Sequence, residues 1–145
     1  MSTIALKIGV ASNPETALAA INSIHGLSQW WTTDTAGVTD IGGTIKFRFN
    51  GEGPDMEVTK SSNDSVAWKC VSGHPEWPGT EVHFEIKQED ETVIYFQHRK
   101  WKGESPMFHH CSMKWAAFLF SLKGYLDGEE GRAFPNDIKV STLGY

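Results

Sequence analysis

The sequence predicts an α+β fold in which a curved antiparallel sheet of about six to seven strands wraps around one long C-terminal helix. Apolar residues recur every three and four positions between Met107 and Asp127, which is the spacing of one helix face. From Thr35 onward, apolar and polar residues alternate and turn residues recur about every dozen positions, as in consecutive antiparallel strands. Because such a sheet has one apolar face and twists strongly, it can wrap around the helix and bury both apolar surfaces together.

The composition predicts a single globular domain over residues 1–145. A chain of 145 residues buries enough surface for a core without disulfides or metals. Hydrophobic residues make up 39% and charged residues 21%, which argues against a disordered or fibrous protein. The formal net charge is -5 and no run of Lys or Arg stands out, so we predict no nucleic-acid partner.

The N-terminal segment predicts a cytoplasmic protein. Met1 to Val10 holds one Lys and no long apolar run, so it resembles neither a secretory signal nor a membrane span. The only cysteines are Cys70 and Cys111, which we expect to be reduced and buried.

The first third of the chain predicts one strand and two short helices. Thr3 to Val10 alternates as a half-buried strand does, and Pro14 to His25 fits a short amphipathic helix. A second short helix is predicted from Leu27 to Trp31. Trp30 and Trp31 point in different directions on a helix, so either both pack in the core or one of them meets a groove or partner.

Each predicted strand of the following meander has one apolar face and one polar face. The apolar faces consist of Ile45, Phe47 and Phe49; Met56 and Val58; Val66, Trp68 and Cys70; Val82, Phe84 and Ile86; and Ile94, Phe96 and His98. Gly42-Gly43 and the segment from Gly51 to Gly53 predict hairpin turns between strands.

The long helix carries signals at both ends. Ser105 and Pro106 fit an N-cap and a first-turn proline, and Gly128 fits a left-handed C-terminal cap. The residues off its main apolar stripe include Met113, Ala116 and Phe120. They imply a second contact, either with the N-terminal helices or across a dimer, so we expect a monomer or a weak homodimer.

Several short motifs resemble one known family. They are Trp30-Trp31, Val66 to Cys70 (VAWKC), Glu76 to Phe84 (EWPGTEVHF), Phe96-Gln97-His98, Trp101, and Cys111-Ser112 with Trp115 and Leu119. Together they resemble the START-like, birch-pollen-allergen-like (SRPBCC) superfamily, in the branch of homologues of the heat-shock chaperone ATPase activator. The resemblance implies a helix-grip fold with a deep cavity between sheet and helix. It also implies three kinds of role: binding of apolar ligands such as lipids or polyketide-like molecules, a cyclase or hydrolase activity, or a chaperone cofactor.

The predicted inner faces of sheet and helix are rich in aromatic side chains, which suit a flat or aliphatic apolar ligand. The predicted ligand-binding residues are Trp31, Phe47, Phe49, Trp68, Trp77, Phe84, Phe96, His98, Trp115 and Phe118. The alternative is that these side chains fill the interior. Trp77 lies in the loop 73–79, which either caps the cavity mouth or lets the Trp pack inward.

His98 is the only candidate for a catalytic residue, because it continues an apolar stripe and a buried imidazole can titrate near neutrality. It could orient a ligand, or act as a general base with His83 or an acidic loop residue. A structural histidine that only forms hydrogen bonds is the more common case. Asp34, Asp40 and Asp55 are expected to be solvated.

The sequence predicts no metal site and no cofactor. His109 and His110 are adjacent, and successive helical residues diverge by about 100°, so they do not share a face. Phosphate-binding and dinucleotide-binding motifs are missing. We therefore predict a protein that binds a small apolar molecule rather than an enzyme. The alternatives are a chaperone-activator-like interaction module and a cyclase or hydrolase that uses His98.

Overall fold

The computed structural model describes residues 1–145 and contains seven strands and three helices. In chain order they are β1 (Ser2–Val10), α1 (Pro14–Ile21), α2 (Ile24–Trp30), β2 (Asp34–Gly37), β3 (Thr44–Arg48), β4 (Asp55–Ser61), β5 (Ser65–Ser72), β6 (Glu81–Gln88), β7 (Thr92–Trp101) and α3 (Pro106–Leu126). The strand order is β1-β7-β6-β5-β4-β3-β2, with every pair antiparallel. This architecture confirms the predicted α+β class, with its long C-terminal helix and two short helices after the first strand.

The two short helices differ from the prediction in their boundaries. Helix α1 ends at Ile21, because Ser23 has an extended backbone and caps a new helix. Its hydroxyl oxygen accepts the backbone N–H of Gly26 at 3.0 Å. Helix α2 therefore begins at Ile24 rather than at the predicted Leu27. A serine capping signal was present in the sequence but was outweighed by the apolar spacing around it.

Strand β2 was not predicted as a separate strand. Three of its four residues are exposed, so it lacks the apolar alternation that marks the other strands. The predicted hairpin turns are confirmed, and Gly42 and Gly51 adopt positive φ angles of 85° and 84° in them.

Both ends of α3 match the predicted capping chemistry. The hydroxyl oxygen of Ser105 accepts the backbone N–H of Phe108 at 3.2 Å. At the other end, Gly128 adopts a left-handed φ of 90°. Two bonds link the C-terminal end of the helix to the end of β1 and the residue after it: Lys123 Nζ donates to the Gly9 carbonyl, and Ala11 N donates to Asp127 Oδ1, both at 2.7 Å.

The core lies between the inner face of the sheet and the buried face of α3. Its largest fully buried side chains include Trp30, Trp68, Trp101, Phe47 and Phe96. Trp30 and Trp31 are both buried, and Trp31 also borders the cavity described below, so each of the two alternatives holds in part. Both cysteines are free and buried, as predicted. No helix combines the length and the apolar character needed to cross a bilayer.

The segment after α3, residues 129–145 and here called the tail, runs back along the start of that helix. Phe134 N donates to the Trp31 carbonyl at 2.8 Å, and Thr33 N donates to the Phe134 carbonyl at 3.1 Å. Farther along, Asp137 forms an ion pair with Lys114 of α3. The tail thereby forms a wall at one end of the space between sheet and helix.

Candidate functional site

His98 on β7 lies in a chain of hydrogen bonds that joins three elements. The indole N–H of Trp115 on α3 donates to His98 Nδ1 at 3.0 Å, and His98 Nε2 lies 2.8 Å from Thr80 Oγ1. Because Nδ1 accepts, the neutral ring carries its hydrogen on Nε2 and donates it to Thr80. Thr80 Oγ1 in turn donates to the Trp77 carbonyl at 2.6 Å. This series of hydrogen bonds thus fixes the loop before β6 to the core.

This arrangement is that of a structural histidine. Burial lowers the pKa of His98 from 6.5 to about 3, so the ring is neutral near neutral pH. Both ring nitrogens are bonded to protein groups, which leaves no nitrogen for a substrate proton. His83 alternates to the opposite face of β6 and contacts Glu81 at 3.1 Å. The catalytic hypothesis therefore finds no support in the geometry of the ring.

A cavity of about 850 Å³ opens between the first half of α3 and the tail. The turn between β3 and β4 and the loop between β5 and β6 complete its wall. Its apolar lining includes Trp31, Phe49, Trp77, Met107, Cys111, Trp115, Phe118 and Phe134. This volume and the aromatic lining fall in the range of small-molecule sites.

The structure separates the predicted ligand-binding residues into two groups. Those that line the cavity are Trp31, Phe49, Trp77, Trp115 and Phe118. Those packed in the core beneath it, at most 2% exposed, are Phe47, Trp68, Phe84, Phe96 and His98. Trp31 joins the two groups, because its ring stacks 6.0 Å from Trp68 and packs 4.1 Å from Phe47. The interior is therefore filled along most of the sheet, and the space lies at one end.

The loop between β5 and β6 serves both roles considered for it. The Trp77 ring packs inward, 4.7 Å from the His98 ring and 6.3 Å from that of Trp115, and it also lines the cavity. Ser105 Oγ donates to Glu76 Oε1 at 2.5 Å, so the loop is bonded to the start of α3. These contacts hold this part of the cavity wall in place without a ligand.

Cys111 is the only thiol in the cavity lining, and its environment does not favour a nucleophile. Burial raises the pKa of the Cys111 thiol to about 11, although a bond from Trp77 opposes this. The thiol therefore stays protonated at neutral pH and contributes an apolar surface. No cluster of three or more His, Cys, Asp or Glu side chains has the arrangement needed to hold a metal ion.

Sequence analysis missed the charged side of the cavity, where Lys114 and Lys139 meet Asp137. Burial alone would raise the pKa of Asp137, but its bonds to the two ammonium groups lower it. Lys114 lies three residues after Cys111 and four before Phe118, so helical spacing could have placed it on this face. Nothing in the local pattern of the tail indicates that Asp137 and Lys139 lie beside Lys114.

Arg48 also lines the cavity, but its guanidinium is occupied by structural bonds. Nη2 contacts Asp55 Oδ1 at 2.7 Å. Nη1 donates to the Phe47 carbonyl in β3 at 3.1 Å and to the Gly53 and Pro54 carbonyls of the β3–β4 turn at 3.2 and 3.3 Å. The expectation that Asp55 is solvated is therefore wrong, because the turn brings it to Arg48. Asp34 and Asp40 are exposed, as expected.

Comparison with models of known protein families and with curated proteins gave no match. Solved structures do match. The Aha1 dimer from Colwellia psychrerythraea is 41% identical with a TM-score of 0.80, and the match covers 88% of this chain and 97% of that chain. SSP2350 from Staphylococcus saprophyticus is 18% identical with a TM-score of 0.74, over 91% and 97% of the two chains. CalU16 from Micromonospora echinospora is 15% identical with a TM-score of 0.74, over 88% and 75%. The last two show the shared fold alone.

Proposed function

The chain belongs to the Aha1-like branch of the START-like (SRPBCC) superfamily, and from this premise we propose that it binds a small apolar molecule in the cavity beside α3. One observation carries the proposal: about 850 Å³ of space lies against aromatic rings at one end of an otherwise filled core. Aromatic walls with a few polar groups bind apolar molecules, and the polar groups set the ligand's orientation.

The walls are held in place without a ligand, which supports binding. Trp115 is fixed by its bond to His98, and the loop that carries Trp77 is fixed by Thr80. A site whose side chains are already ordered loses little conformational entropy on binding. Because the Cys111 thiol stays protonated and both nitrogens of His98 are bonded to protein groups, we propose binding without chemistry.

Calorimetric titration with naphthylethanol, a neutral apolar probe, tests this function. Phe118→Trp extends a ring that lines the cavity, whereas Phe120→Trp makes the same change on the exposed side of the same helix. We expect the unsubstituted chain to bind, Phe118→Trp to weaken binding by at least about tenfold, and Phe120→Trp to bind as before. No binding by the unsubstituted chain, or equal loss in both variants, would contradict the proposal.

Native mass spectrometry of the purified protein then addresses the natural ligand. A stoichiometric adduct that leaves on denaturation can be extracted and its chemical class identified.

The predicted cytoplasmic location and the chaperone-interaction alternative stay predictions.

A second candidate function is self-association through the outer face of α3. Met113 and Phe120 are each 63% exposed, so they do not make the contact with the N-terminal helices that was one of the two sequence-based alternatives. The relative from Colwellia psychrerythraea is described as a dimer. We propose that a second copy of this chain covers this face.

Light scattering over a range of protein concentrations tests self-association. We expect a dimer that Phe120→Ser converts to a monomer, because the substitution removes a large apolar contact. Ile41→Ser is the matched control, since Ile41 is 64% exposed but lies in the loop between β2 and β3. A chain that is monomeric at every concentration would exclude this candidate.

A further inference from the structure

Building on the proposed apolar site, we infer that its ligand carries a carboxylate, and that Lys114 and Lys139 bind that group. The ligand class is then an amphipathic acid: an apolar body with one anionic end. The charges, the unused N–H donors and the neighbouring rings along the tail side of the cavity favour this ligand class.

The two lysines carry more positive charge than their shared partner neutralises. Lys114 comes from α3 and Lys139 from the tail, and both line the cavity. Both contact the same buried carboxylate, Asp137, with Lys139 Nζ 2.5 Å from Oδ1 and Lys114 Nζ bonded to Oδ2. Two ammonium groups against one carboxylate leave a net charge of about +1 at this wall.

Each ammonium group also keeps one N–H for a ligand. Lys114 Nζ makes its second bond to the Ile138 carbonyl at 2.8 Å, and Lys139 Nζ makes its second bond to the Pro135 carbonyl at 3.3 Å. An ammonium has three N–H groups, so one remains on each lysine. The Lys114 and Lys139 side chains are 16% and 34% exposed, which leaves them accessible from the cavity.

No charged side chain of the lining other than Asp137 forms an ion pair with the two lysines. Arg48 is paired with Asp55, and Glu52 is exposed on the β3–β4 turn and forms no ion pair. The pKa of His110 is lowered by burial and, to a smaller extent, by the charge of Lys114. His110 is therefore neutral near neutral pH and adds no charge to this wall.

The apolar part of such a ligand has a surface beside each lysine. Lys114 Nζ lies 5.2 Å from the centre of the Phe118 ring, and Lys139 Nζ lies 5.0 Å from that of Phe134. Both rings line the cavity. A body packed on these rings places its carboxylate within reach of the ammonium groups, which favours charge-assisted hydrogen bonds in a partly buried setting.

A pair of probes of the same shape and different charge tests the inference. Naphthylacetate and naphthylethanol share the ring system, and only the first is an anion at neutral pH. We expect the unsubstituted chain to bind naphthylacetate about tenfold more tightly, and Lys114→Gln or Lys139→Gln to lose most of that preference. Lys46→Gln, at an exposed position on β3 without an ion pair, is expected to keep it.

The outcomes separate this inference from the proposed function. Equal affinity for the two probes, or a preference that survives in both lysine variants, would overturn the anionic subsite while apolar binding stands. Binding of neither probe would overturn the proposed function and this inference together. If a lysine variant fails to fold, the unsubstituted chain still decides: high salt is expected to weaken naphthylacetate binding several-fold and to spare naphthylethanol.

Discussion

The imidazole of His98 is a polar group with no solvent exposure and a partner on each nitrogen. Its pKa of about 3 in the folded chain lies below the ordinary value of 6.5, so the unfolded chain binds the proton more tightly. His98 therefore does not lower the free energy of unfolding above about pH 6.5, and it lowers that free energy progressively as the pH falls toward 3. The residue that looked catalytic in the sequence instead makes the fold sensitive to acid.

We predict that His98→Gln reduces the acid sensitivity of folding. Between about pH 7 and about pH 4.5, protonation of His98 in the unfolded state alone should lower the unfolding free energy of the unsubstituted chain by about 2 to 3 kcal/mol. His98→Gln starts less stable but lacks this component, while every other titrating group is unchanged. Urea denaturation at the two pH values measures the difference. An equal loss in both proteins would contradict the role assigned to His98.

The hydrogen bond from Trp115 to His98 permits a second prediction. Trp115→Phe keeps an aromatic ring but leaves His98 Nδ1 without a donor, which should cost about 1 to 3 kcal/mol beyond the lost volume. Trp101→Phe is the matched control, because the Trp101 N–H is buried and has no partner. Trp115→Ala should cost about 3 to 5 kcal/mol, because the side chain is only 2% exposed although it also lines the cavity. Equal unfolding free energies for the two Phe variants would contradict the role of this bond.

At the scale of elements, the start of α3 connects the helix to the wall of the cavity. Ser105 caps the helix through the N–H of Phe108 and also donates to Glu76 in the loop between β5 and β6. Because one hydroxyl serves both contacts, helix stability and loop position depend on the same residue.

We predict that Ser105→Ala costs about 1 to 2 kcal/mol of unfolding free energy, the usual value of a lost N-cap, and that it loosens the loop. Hydrogen exchange of the Trp77 and Thr80 amides, which bond to carbonyls within or beside this loop, should then become faster. Ser105→Thr keeps the hydroxyl and should behave like the unsubstituted chain. A stable Ser105→Ala protein with unchanged exchange would refute this connection.

The elements that were predicted well depend on local chemistry. Helix α3 shows its apolar spacing and both caps within a single stretch of sequence, and most strands show simple alternation. Strand β2 and the boundary between α1 and α2 were missed because exposed residues or a competing serine cap weaken that signal. Local patterns indicate which residues face inward, so helix α3 and most strands could be predicted from them.

The position of the cavity could not be predicted in this way. The inward-facing aromatic residues were identified, but whether a ring fills the core or lines a space depends on its neighbours from distant strands. Trp31 covers Trp68 and Phe47, which come from β5 and β3. Asp137 meets Lys114 only because the tail folds back over α3. Both arrangements are tertiary, with no counterpart in local periodicity.

At the scale of the whole molecule, the sheet and α3 enclose a filled core over most of its length and a cavity at one end. The tail contributes part of the wall and one of the two lysines at the charged side. We propose that this end of the molecule binds an apolar ligand, while the aromatic core beneath it only supports the wall.

The most direct test follows the indole N–H signals of the six tryptophans by NMR during a titration with naphthylethanol. Trp31, Trp77 and Trp115 line the cavity, so their signals should shift most and in proportion to occupancy. The signals of Trp30 and Trp101, which are buried away from the lining, should shift least. If no signal shifts at saturating probe, or if those of Trp30 and Trp101 shift most, the ligand does not bind where this structure places its site.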